Sequence, residues 1–119
     1  MRQKINPRTG AYNIVDAEIL INEQTNSYVL ALSDNGKLID MNKGSALNLT
    51  VPKNSVVAFP IGTTIAVRQK GVGQVTVAPV DGDVILNNES GLKIINQYGL
   101  ASLIKVGVNT WAVCGSLEA

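Results

Sequence analysis

"NSVVAFPIGTTIAVRQKGVGQVTVAP", residues 54–79, decides how this chain is read. Two glycines, Gly71 and Gly73, sit between two runs rich in Val, Ile and Thr. A glycine loop of this look cradles phosphate only when it opens a helix and, in the Walker form, when Lys and Ser or Thr follow its last Gly. Here Gly73 is followed by Gln74, Val75, Thr76 and Val77, an alternating strand pattern. The loop joins two strands, and its glycines supply turn dihedrals.

The same grammar extends in both directions. "SYVLAL" reads as a strand, "SDNG" as a turn and "KLIDMN" as the returning strand, with Asn35-Gly36 suited to positive φ at the centre of a hairpin. "ALNLTVP" sets Leu47, Leu49 and Val51 on one face against Asn48 and Thr50 on the other. "VILNN", "LKII", "LASLIKVG" and "WAVCGSL" follow, separated by "DGD", "ESG", "NQYG" and "VNT". Strand runs of this spacing, with turn signals between them, predict an all-β domain: a compact antiparallel β-sandwich or jelly roll with short hairpins. Residues 1–26 form an N-terminal arm and first strand, and residues 27–119 the sandwich. Within the arm Arg2, Lys4 and Arg8 precede any acidic residue, while Pro7 and Gly10 discourage a regular element.

Composition narrows the function. The chain has 119 residues, 45% hydrophobic and 16% charged, with a formal net charge of +1, so it is neither a disordered chain nor a nucleic-acid binder relying on bulk positive charge. There is no histidine, which removes His-based triads and His-containing metal sites. The single cysteine, Cys114, has no partner for an intramolecular disulfide and lies in an apolar run, where a small buried hydrophobe is expected. No apolar run approaches a membrane span, and "MRQKINPRTG" lacks the apolar core of a signal peptide, so a soluble protein made in the cytosol is expected.

Three groups offer chemistry. Asp81 and Asp83, with Asn87, Asn88 and Glu89, present oxygens for calcium, but Asp-Gly segments are more simply turns and the twelve-residue calcium loop is absent. Asp34 and Asp40 flank the first turn as candidate paired carboxylates, with solvated turn residues the simpler reading. A carbohydrate-acting enzyme would need two such groups across a cleft. Trp111 is expected to anchor a core or an interface, with sugar stacking as its alternative. No cofactor or metal ligand set emerges.

"SYVLALSDNGKLIDMNKGSALNLTVPKNSVVAFPIGTTIAVRQKGVGQVTVAP" and "LASLIKVGVNTWAVCGSL" resemble a module of tailed-bacteriophage virion surface proteins, over about residues 27 to 116. The shared pattern is the Ser-Asp-x-Gly hairpin, "LTVP", "VAFPIGT", "GxGQVT" and "LIKVGxxTWxVxG". The resemblance implies a non-enzymatic β-structure displayed as a trimer on the virion, made in the host cytoplasm, with no catalytic residues to carry over. With so little chain before the module, a capsid-decoration (cement) protein is expected. Its partners would be itself and the major capsid protein or another virion protein, with Arg2, Lys4 and Arg8 as an attachment arm. Nucleic acid and membrane are not expected partners. A tail-fibre or baseplate protein binding a host glycan is the alternative.

Overall fold

The structure, a computed structural model, describes residues 18–119 and, by backbone alone, a short antiparallel pair of β1 (Lys4–Ile5) with β2 (Tyr12–Asn13). The side chains of the basic arm, Arg2, Lys4 and Arg8, lie outside the described residues.

From residue 18 on, the chain is all-β apart from one 3-10 turn. The elements are β3 (Ile21–Gln24), β4 (Tyr28–Val29), the 3-10 turn Leu32–Asp34, β5 (Leu38–Met41), β6 (Leu47–Val51), β7 (Thr64–Gln69) and β8 (Val75–Pro79). Then come β9 (Ile85–Asn88), β10 (Lys93–Ile94), β11 (Leu100–Lys105), β12 (Thr110–Gly115) and β13 (Leu117–Glu118). They form a six-stranded sheet, β3-β5-β7-β11-β12-β9, and a five-stranded one, β13-β10-β8-β6-β4.

Successive strands alternate between the two sheets, so the chain winds as a coil. β3, β5 and β7 stack in parallel in one sheet, and β4, β6 and β8 in parallel in the other. From the second coil to the third the advance is 28 residues on both sides: Leu38 lies beside Ala66, and Leu47 beside Val75. The architecture is a short β-solenoid. Antiparallel strands finish it: β11 pairs with β7 and forms the one long hairpin with β12, while β10 pairs with β8 and β13.

This corrects the expected antiparallel sandwich and two of its hairpins. β4 and β5 do not pair; between them the 3-10 turn, Asn35 and Gly36 carry the chain from one sheet to the other. Gly36 has the expected positive φ of 81°, but Asn35, at φ −54°, does not. Gly71 and Gly73 likewise turn a corner between sheets and have no positive φ. Their reason is close stacking. A Cβ on Gly71 would overlap the backbone of Lys43, and one on Gly73 the carbonyl of Ser45, in the corner of the coil beneath.

Inward residues of both sheets fill one core. Ile39, Met41, Ile65, Val67, Leu103 and Trp111 face Leu47, Leu49, Val51, Val75, Val77 and Ile94, all buried. Trp111 is thus a core anchor, edge-on to Phe59 with ring centroids 5.4 Å apart. The alternation that buries Trp111 and Val113 turns Cys114 outward, so the cysteine is exposed rather than buried. The first coil is polar inside. Asn22 and Gln24 occupy the inward positions of β3, the edge strand of the larger sheet.

Candidate functional site

The candidate acid groups are each held by neighbours. Asp34 is fully buried, not solvated: its carboxylate accepts from the Tyr28 hydroxyl at 2.7 Å, the Asn22 amide at 2.9 Å and the Ala31 backbone N–H at 2.8 Å. Burial, with the Asp34 hydrogen bond behind it, pushes the Tyr28 hydroxyl above its ordinary pKa. Gln24 donates to Asn22 at 2.8 Å and completes a satisfied network closing the open end of the core. Asp40, on the outer side of β5, is also buried, covered by Arg68, which grips it in a two-pronged fork, both bonds 2.7 Å. Asp34 and Asp40 are therefore not a catalytic pair. Asp81 and Asp83 hold Lys53 at 2.8 and 3.4 Å, and that bond keeps the Asp81 carboxyl below its usual range. Among the described residues no group of three or more His, Cys, Asp or Glu is placed to hold a metal.

One titratable group escaped the sequence reading. Lys105 is buried, and its ammonium donates to the Asn54 side chain at 2.6 Å and to the Phe59 carbonyl at 2.8 Å. Desolvation lowers its pKa. It ties the long loop of residues 52–63 to the sheet. Gly62 N–H donating to the Lys105 carbonyl (2.7 Å), Lys105 N–H to the Thr63 carbonyl (2.9 Å) and Asn54 N–H to Asn109 (2.8 Å) complete the tether.

That tether shapes the most distinctive surface of the molecule, the outer face of the six-stranded sheet. One row across it runs Ile21, Leu38, Ala66, Ser102, Cys114, and the next runs Thr64, Ile104, Ala112, Asn87. Ile85, beside Thr110, and Leu100, beside Arg68, flank these rows at 54% and 52% exposure. At one end the tethered loops add Val56, Ile61, Val106 and Val108, all more than half exposed. No charged residue occurs from Asn54 to Val67 or from Val106 to Leu117. Along one margin of the face Asp40 pairs with Arg68 and Glu23 with Lys70, and Lys37 stands at its groove. A shallow groove of about 200 Å³, lined by Ile19, Gly36, Lys37, Thr64 and Ala66, indents it. The opposite outer face, on the five-stranded sheet, is more polar: Asn48, Thr76, Lys93 and Glu118 form one row, and Thr50 stands between Val29 and Ala78 in the next.

Asn35, Gly36, Gly71 and Gly73 stand at coil corners, with Gly36 also in the groove wall. Among the described residues no helix is long and apolar enough to cross a membrane. No protein-family model, curated protein or solved structure matches the chain.

Proposed function

We propose that the chain is a non-enzymatic structural protein of a bacteriophage virion, a capsid-decoration protein that acts as a homotrimer. The observation that carries the assembly role is the outer face of the six-stranded sheet, apolar over much of its extent with its ion pairs along one margin. Exposed apolar patches rimmed by polar residues mark sites of interaction. Ile21, Ile85, Leu100, Ile104, Val106 and Val108 are between 38% and 64% exposed. Covering them contributes about 1 kcal/mol apiece, on the order of 6 kcal/mol before the cost of association. The virion setting rests on the resemblance of residues 27 to 116. The cations Arg2, Lys4 and Arg8 suit an acidic shell surface, and three copies in one trimer would multiply their weak contacts.

The test is cosedimentation of the purified protein with shells that lack it. Saturable binding in threes is expected. No binding would remove the capsid role and favour the tail. There the Asn and Thr side chains of the polar face, which suit sugar hydroxyls, support glycan binding on host cells as the second reading.

A further inference from the structure

We infer that Tyr98 is the stacking platform of a binding site for a neutral saccharide, on the margin of the six-stranded sheet beside Arg68, Lys70 and Gln97. The site is separate from the capsid role and from the polar face, and depends on neither.

The first observation is the backbone. Tyr98 is the one non-glycine among the described residues with a positive φ, 69°. In that region Cβ crowds the following carbonyl, which glycine avoids and asparagine tolerates, so tyrosine is unfavourable there. The turn nonetheless holds it. Tyr98 N–H donates to the Gln69 carbonyl at 2.6 Å, Gln69 N–H to the Gly99 carbonyl at 3.0 Å, and Gly99 N–H to the Asn96 carbonyl at 3.0 Å. These are backbone bonds that glycine or asparagine at position 98 would make equally well. The second observation is the side chain. It is 64% exposed and, unlike Tyr28, does not pack against the core. Folding therefore gains little from the ring, while the backbone beneath it is strained. Strain that packing does not offset marks functional positions.

The third observation is what surrounds the ring. Continuing the register that sets Leu100 beside Arg68, Tyr98 falls beside Lys70. Gln97 donates its side-chain amide to the Lys70 carbonyl at 3.1 Å. Arg68 grips Asp40, and Lys70 holds Glu23. The Asp40 bond raises the Arg68 pKa, and Tyr98 and Glu23 raise it further, so the phenol and both ion pairs share one neighbourhood. Among the described residues the fork leaves guanidinium N–H groups over, and the Glu23 contact leaves N–H groups on Lys70. Glu23 and Gln97 each keep a side-chain oxygen that can accept.

The ligand class follows from this set. The two ion pairs are neutral together, so neither an anion nor a cation is selected. β7 and β11 are hydrogen-bonded on both edges, so an extended peptide has no strand edge to join. A pyranose meets what remains: its C–H face stacks on an aromatic ring while its hydroxyls donate and accept around the rim. An open platform of this kind predicts millimolar affinity.

The experiment is saturation-transfer NMR on the full chain with maltotriose, chitotriose, mannotriose and galactobiose at millimolar concentration, and trigalacturonate as the acidic comparison. Transfer to ring C–H protons of at least one neutral sugar is expected, with none to trigalacturonate. Tyr98→Phe keeps the platform and should bind within about threefold of the wild type, whereas Tyr98→Asn should weaken binding roughly tenfold or more. Relieved of strain, Tyr98→Asn should also unfold at a urea concentration no lower than the wild type. Thr76→Lys, on the polar face, should bind as the wild type does. Transfer to no neutral sugar, or transfer that survives in Tyr98→Asn, would overturn the site; survival there with loss in Thr76→Lys would place the sugar on the polar face instead. A lower urea midpoint for Tyr98→Asn would make Tyr98 a structural residue, and stronger transfer to trigalacturonate would overturn the neutral class.

Discussion

The two outer faces of the solenoid are built on the same coils and differ in what they present. On the five-stranded sheet, β6 and β8 bury Leu47, Leu49, Val51, Val75 and Val77 and turn Asn48, Thr50 and Thr76 to water. On the six-stranded sheet, β7 and β11 bury Ile65, Val67 and Leu103 and turn out Thr64, Ala66, Leu100 and Ile104. Folding requires only the inward set, so the outward set reports what lies outside. One face is the more polar, and the other is the one the proposed assembly covers.

Breaking the coil stack removes both faces at once and has the largest expected effect. Gly73→Ala forces a Cβ onto the Ser45 carbonyl and should cost about 3 kcal/mol or more, read as a fall in the urea midpoint. Gly82→Ala, with open space around it, should change stability by less than about 0.5 kcal/mol.

Loosening the loop removes part of one face only. Lys105→Met leaves the Asn54 side chain and the Phe59 carbonyl without their donor and should cost about 2 kcal/mol. The loop bearing Val56 and Ile61 should then exchange its amide protons faster while the polar face stays protected. The wild type also carries a pH signature. The folded pKa of Lys105 lies below the unfolded value of about 10.4, so between the two the native state binds fewer protons and this group's contribution rises with pH. Lys105→Met should lack that rise.

The polar end of the core gives the smallest effect. Tyr28→Phe removes one of the three donors to Asp34 and should cost about 1–2 kcal/mol below pH 9. The folded pKa of Tyr28 is raised, so its contribution is complete below the unfolded value of about 10 and is lost as pH climbs through the folded value. The difference between wild type and Tyr28→Phe should therefore shrink in alkaline urea titrations.

Much of this was legible in the chain, within a physical limit. Period-two alternation located β6, β7, β8, β11 and β12, because half-buried strands need it. Their partners were not legible from local turns. Asn35-Gly36 looks like a hairpin centre, and Gly36 does take a positive φ, yet the pairing that wins is between strands 28 residues apart. The signal for it was present as the alignment of residues 37–51 with 65–79, where "KLIDMNKGSALNLTV" and "IAVRQKGVGQVTVAP" repeat strand, glycine corner and strand. Cys114 was misplaced because its run is apolar on both parities, so composition alone does not say which parity faces in. The Tyr28–Asp34–Asn22 network and the Lys105 tether join residues distant in sequence or in unlike elements, so no spacing announced them.

Thiol labelling compares the two faces most directly. Cys114 is the only cysteine and lies on the apolar face, in one row with Ala66; Thr76→Cys in a Cys114→Ser background places the same probe on the polar face. With a maleimide, Cys114 should react quickly in nanomolar solution and at least tenfold more slowly at tens of micromolar, while the thiol at position 76 should react equally fast at both. Equal rates for Cys114 at both concentrations, in a protein that sedimentation shows to be assembled at the higher one, would contradict the proposed role of that face in assembly.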